Sequence, residues 1–194
     1  MVGAHGRGLA SELGLERQVD LQMGTLGKSL GVSGGYICGS RSLIDWLINR
    51  ARSFVFSTAP PPAMAAAATA AIGFLASAEG ETRRKTLWQR IVQLRKMLPD
   101  GGAAFGRPGA AIIPWIVGDE QRALDLAQTL QREGFLVPAI RYPTVAKGAA
   151  RLRITLSASH SEAQVASLGD ALIRLSATGY GPEMAKLRRS GVGM

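Results

Sequence analysis

The segment RLRITLS (151–157) alternates without a break. Leu152, Ile154 and Leu156 fall on one face, and Arg151, Arg153 and Thr155 on the other. A period of two marks a strand buried on one side only. The flanking segments have helical period. DEQRALDLAQTLQREG upstream reads as a helix with Gly134 as its C-cap. SEAQVASLGDALIRLSA downstream opens with Ser161 and Gln164 at capping-box spacing. AAIIPWIV and FLVPAI read as further strands, with Pro114 arguing for an edge or a bulge. Strands alternating with helices predict a small α/β unit for this half of the chain.

The first half is punctuated differently. GAHGRGLASELG reads as a loop entering a short helix. VDLQM and GGYICG read as two strands, separated by the Gly-rich stretch GTLGKSLGVSGG. SLIDWLINRAR predicts a helix with Ser42 as N-cap and Leu43, Leu47 and Ala51 on one face. SFVFST reads as a strand, with Phe54 and Phe56 alternating. APPP is a hard break, because proline lacks an amide donor and restrains the residue before it. An Ala-rich helix from Ala63 to Ala78 follows, with a smooth face for close helix packing, and then a loop, AEGET. The boundary between two units is expected near residues 78–82.

Composition excludes several classes. Of 194 residues, 46% are hydrophobic and 19% charged, which suits a packed core and not a disordered chain. One Cys excludes an internal disulfide, and two His leave too few soft ligands for a zinc site. Cys38, in an apolar strand, reads as a small buried hydrophobe. No run reaches the roughly 20 apolar residues of a membrane span, and the start lacks a secretory core. The expectation is a soluble cytoplasmic protein without a membrane partner.

The net charge of +9 raises a nucleic-acid partner. The densest basic stretch is RRKTLWQRIVQLRK. Its apolar residues Leu87, Ile91, Leu94 and Leu98 form a helical stripe, with the cations flanking it on both sides. That pattern is a solvated amphipathic helix, and aromatics at 6% are poor for base stacking. No nucleic-acid partner is expected.

Lys28, in GTLGKSLG, is the central candidate for chemistry. An amine that attacks a carbonyl must be deprotonated, and burial or a nearby cation promotes that. Small neighbours let a bulky aldehyde approach the backbone. The spacing alone also fits a solvent-exposed loop lysine. A phosphate loop is excluded by count: it needs four residues between Gly and Gly-Lys-Ser, and two separate Gly24 from Gly27. His160, just before a helix cap, reads as a structural hydrogen-bonding residue.

Three segments, QMGTLGKSLGVSGGYICGS, FSTAPPPAMAAAA and IRYPTVAKGAARLRITLSASHS, stand in an order that resembles the α-oxoamine synthase family. These are pyridoxal-phosphate enzymes of the aspartate-aminotransferase fold type. The resemblance runs over roughly residues 2–177. It implies an α/β fold, the C-terminal part of a fold-type I transferase: residues 1–80 from the large cofactor-binding domain with its linking helix, 81–178 as the small α/β domain, and 179–194 as a flexible tail.

The resemblance also implies roles. Lys28 would form the Schiff base with pyridoxal 5'-phosphate and later move the substrate's α-proton. Thr25 would bind the cofactor phosphate. Ser57 and Thr58 would reach the phosphate of a partner subunit, although turn capping before APPP explains them as well. Arg153 would grip the substrate carboxylate, its plainer reading being a solvated strand arginine. Thr144 would contact substrate, or merely follow Pro143 in a turn. The expected assembly is a homodimer with a shared active site, acting on an acyl-CoA and an amino acid with loss of carbon dioxide. The family's Asp-Glu-Ala-His segment would lie upstream of Met1, so the chain corresponds to the C-terminal half of such a synthase and is expected to be inactive alone. His5 falls in the Gly-rich loop after that segment and is given no role. A non-catalytic, dimerising remnant is the alternative.

Overall fold

The computed structural model describes residues 2–98 and 111–177. It divides into two compact units, Met1–Arg84 and Lys85–Met194. The expected flexible tail 179–194 lies outside the described residues.

In the first unit a short 3-10 turn, Ala4–Gly6, leads to helix α1, Leu9–Glu12. Strands β1 (Leu21–Thr25) and β2 (Gly35–Gly39) pair antiparallel, with Leu21 opposite Gly39 and Thr25 opposite Gly35. Helix α2, Arg41–Arg50, is capped by Ser40, whose Oγ accepts a 3.3 Å bond from the Leu43 amide. The cap is therefore Ser40 and not Ser42, because the residue bordering the helix must sit in extended backbone to reach back.

SFVFST is not a strand. Arg52–Val55 forms a short helix, α3, sharing Ala51 as its cap with α2. An alternating pattern pays off only when one face meets a core. Here Phe54 and Phe56 are 63% and 77% exposed, and neither supplies one. Pro62 opens helix α4, Pro62–Ala76, at the position where a missing amide donor costs nothing. Ala68 alone is buried along α4, so its small-residue face is open within this unit.

AEGET is helical as well. Helix α5 spans Ala78–Met97. Ser77 Oγ accepts from the Gly80 amide at 3.2 Å, and Glu79 and Glu81 suit the positive end of the helix. The cations of α5 are not uniformly solvated. Arg84 and Arg95 are 6% and 8% exposed. Arg84 pairs with Glu81 and abuts Gly6. Arg90 donates to the His160 carbonyl at 3.1 Å and to Glu162 at 2.8 Å. A charged side chain on the flank of a stripe is buried when its head finds an acceptor on a packed neighbour.

The second unit is a sheet in the order β3–β5–β4: Ile112–Gly118, Ala150–Thr155 and Ala139–Ile140, all antiparallel. Pro114 thus lies on an edge strand, as its missing donor requires. FLVPAI is a strand only over Ala139 and Ile140, because Pro138 lacks an amide donor, though its carbonyl accepts from the Arg153 amide at 2.9 Å, and Leu136 points to solvent. Helix α6, Glu120–Arg132, is capped by Asp119. It ends in a Schellman arrangement: Gly134 at φ 89° donates to Gln131, and Phe135 to Leu130. Helix α7, Glu162–Leu175, has the complete Ser161–Gln164 capping box.

The core of this unit joins Ile113, Trp115 and Val117 of β3, Leu152 and Ile154 of β5, Leu126 and Leu130 of α6, Leu168 and Leu172 of α7, and the α5 stripe Leu87, Ile91, Leu94 and Leu98. Among the described residues no single helix is long and apolar enough to cross a membrane. No cluster of His, Cys, Asp or Glu there could hold a metal.

Leu152 is wholly buried on the central strand. Leu152→Ala should lower unfolding free energy by about 2–5 kcal/mol in urea titration, from lost transfer energy plus a cavity. Ser161→Ala should cost about 1 kcal/mol by the same measurement, from a lost cap.

Candidate functional site

The candidate residues fall in two groups, one in each unit. In the first unit, residues 26–34 join β1 to β2. The Leu26 amide donates to the Gly34 carbonyl at 2.9 Å, the Val32 amide to the Leu26 carbonyl at 3.0 Å, and the Gly31 amide to the Lys28 carbonyl at 3.1 Å. Val32 is buried and anchors the loop. Lys28 therefore rides on a backbone held by three hydrogen bonds, and its side chain is exposed rather than buried. Gly34 at φ 116° and Gly31 at φ 66° take conformations that side chains disfavour.

Thr25 ends β1, three residues from Lys28, and is exposed. It opens onto a cleft of about 660 Å³ between the hairpin and α2–α3, walled by Tyr36, Ile37, Leu47, Ile48 and Phe54. The cleft is mostly apolar, with Thr25 and Ser53 as its small hydroxyls. Lys28, Ser57 and Thr58 do not line it. Ser57 and Thr58 follow α3 and are exposed, and the Ser57 hydroxyl donates to the Thr58 carbonyl at 3.4 Å. That bond is the local capping that a turn before APPP invites. Cys38 is exposed, contrary to the sequence expectation, because the two-stranded sheet offers no second layer over its face.

In the second unit, Thr144 lies exposed in the turn after the cis Tyr142–Pro143 bond, its amide donating to the Arg141 carbonyl at 3.0 Å. Arg153 is exposed on β5 opposite Pro114, its amide bonded to the Pro138 carbonyl at 2.9 Å. His160 is structural: its Nδ1 accepts from the Ser157 amide at 3.2 Å and its carbonyl from Arg90. His5 is exposed at φ 55° in the loop before α1. Among the described residues two groups are electrostatically perturbed. The Glu16 carboxyl is held below its usual range, first by its own backbone amide, then by the Ser11 hydroxyl and Arg7. Burial lowers the Arg95 guanidinium.

Sequence reasoning missed Tyr36 and Ser53 as cleft residues. Tyr36 stands opposite Gly24, whose missing Cβ leaves room for the ring. A large residue facing a glycine across a hairpin was the available signal, once the register was known.

The model of the aminotransferase class I and II family matches residues 2–172. An 8-amino-7-oxononanoate synthase 2 from Polaromonas sp. (strain JS666) is 46% identical over 179 residues, covering 89% of this chain and 44% of that protein. The 8-amino-7-oxononanoate synthase of Chromobacterium violaceum is 44% identical over 169 residues, covering 87% and 43%. Among solved structures, Sphingomonas wittichii serine palmitoyltransferase superposes with a TM-score of 0.79 at 33% identity, over 91% of this chain and 45% of that one. The Francisella tularensis 8-amino-7-oxononanoate synthase has a TM-score of 0.79 at 22% identity, over 92% and 52%, a likeness of fold. The chain spans about 44% of the length of the curated relatives it matches.

Gly34→Ala should destabilise the first unit by about 1–3 kcal/mol, since φ 116° strains any side chain. Faster amide exchange at Leu26 and Val32 would report the loosened loop.

Proposed function

The chain belongs to the aminotransferase class I and II family, and on that premise we propose that it forms part of a pyridoxal-phosphate-dependent acyltransferase. The reaction is the condensation of pimeloyl-CoA with L-alanine, with loss of carbon dioxide, to give 8-amino-7-oxononanoate for biotin synthesis. The carrying observation is the placement of Lys28 on a short, hydrogen-bonded, glycine-rich connection beside Thr25. Relatives at 44–46% identity that bear the synthase name support the choice of reaction.

The residues present fit the cofactor. It needs an amine for its aldehyde, hydroxyls for its phosphate and bare backbone for its ring. Lys28 and Thr25 supply the first two, and Gly31, which nothing approaches within 4 Å, the third. When bound, the cofactor supplies an electron sink for the substrate's α-carbon. Lys28 Nζ holds the cofactor and carries the α-proton as general acid and base. The Thr25 hydroxyl donates to the phosphate, and Ser57 and Thr58 serve the phosphate of a second copy in a homodimer. Arg153 fixes the amino acid by its carboxylate through the two-pronged guanidinium, and Thr144 contacts the same substrate. The protein acts in the cytoplasm.

Borohydride reduction in the presence of pyridoxal phosphate, followed by peptide mapping, should place the label on Lys28, and Lys28→Ala should remove it. A label on another lysine overturns the reading. In the full-length protein, turnover with glycine in place of alanine would move the reaction to that of a glycine C-acetyltransferase or a 5-aminolevulinate synthase. There Arg153→Ala should raise the KM for the amino acid by about tenfold or more, the scale of a lost charge-assisted bond.

A further inference from the structure

Among the described residues, the sheet of the second unit buries one face and leaves the other open. Directly opposed residues of an antiparallel pair share a face. The register therefore sets Ile116 beside Arg151, Pro114 beside Arg153 and Ile112 beside Thr155, with Ile140 flanking Arg151 on its other side. The open face is thus an apolar row on the edge strand next to two guanidinium groups on the central one. Arg153 and Ile112 are exposed, and Arg151, Ile116 and Ile140 are half-buried.

Among the described residues no acid pairs with this face. From Gly134 to Ser161 the chain carries Arg141, Lys147, Arg151 and Arg153 and not one Asp or Glu, and β3 carries none either. Neither Arg151 nor Arg153 is ion-paired among the described residues. The Arg151 Nε donates to the Ala149 carbonyl at 3.0 Å, which orients the group and leaves its two terminal nitrogens for another acceptor. The Cα atoms of Arg151 and Arg153 lie about 7 Å apart along one strand, and two like charges on one face repel each other unless anions lie between or upon them.

We propose that Arg151 is a second anion-binding residue of this face, taking the distal carboxylate of an acyl chain that lies along Pro114 and Ile116. Arg151 then holds the one free carboxylate of the acyl chain, Arg153 keeps that of the amino acid, and the apolar row covers the acyl methylenes. That the anion is an acyl carboxylate rests on the acyl transfer proposed above; the anion site itself rests on the register and the missing acids. Arg151 thereby selects dicarboxylic over monocarboxylic acyl donors.

Calorimetric titration of the chain with heptanedioyl-CoA, heptanoyl-CoA and coenzyme A tests this. Heptanedioyl-CoA should bind about tenfold more tightly than heptanoyl-CoA, the scale of one charge-assisted contact. Arg151→Gln should erase that preference, Arg151→Lys should keep most of it, and neither should change coenzyme A binding. Should Gln lower the melting temperature, Arg151→Met, which retains the aliphatic stem, is read in its place. A wild-type chain without the preference, or a preference surviving Arg151→Gln, overturns the proposal. So does a loss of coenzyme A affinity alone, which would assign Arg151 to the donor's phosphates. Failure of borohydride trapping at Lys28 with an intact Arg151-dependent preference would instead overturn the acyl-transfer reading and leave the anion site standing.

Discussion

The removal of one face of β5 from water organises the second unit. Leu152 and Ile154 are almost wholly buried, and they meet the inward residues of β3 and three helices. Each such side chain contributes about 1.5–3 kcal/mol of transfer free energy. Because successive residues of a strand point to opposite faces, burying Leu152 and Ile154 obliges Arg151 and Arg153 to face outward. A slip by one residue would bury both guanidinium groups, at a cost no core of this size could absorb. The position of Arg153, and with it the proposed grip on a carboxylate, is thus a consequence of core packing.

The first unit rests on different physics. Among its described residues only Val32, Ala68, Gly80 and Arg84 are buried, with Arg84 held by Glu81 and pressed against Gly6. Its order comes from backbone: the hairpin ladder, the Ser40 and Ser77 caps and the bonds that close residues 26–34. Lys28 is placed by those bonds and by glycines at positive φ, not by packing of its own side chain. Loops held by such backbone bonds are a common place for groups that must reach a ligand, which is the role proposed for Lys28.

Local signals translated into structure wherever the interaction they encode is local. The Ser161–Gln164 box, the proline at the start of α4 and the glycine after α6 each act within four residues. The α5 stripe was legible for the same reason: its period is a property of one helix. Where the outcome depended on a partner, the reading went astray. SFVFST has the alternation of a strand but no neighbour to pair with, so it closes as a helical turn. FLVPAI has the composition of a strand, yet a proline lets only its last two residues join the sheet. Cys38 looks buried by context and is exposed because nothing covers the hairpin within its unit.

The sequence by itself determined the family, through three motifs in order, the one-sided character of β5 and the residue types available for chemistry. These are properties of chain order and side-chain identity, which folding does not alter. Tertiary structure alone decided which strand lies between which, that Ile116 and Pro114 stand beside the two arginines, that Tyr36 covers Gly24, and that Arg84 and Arg95 are buried. Register and burial are pairwise properties of segments far apart in the chain. They are set by the competition of many weak contacts for one arrangement, and no single segment carries that information.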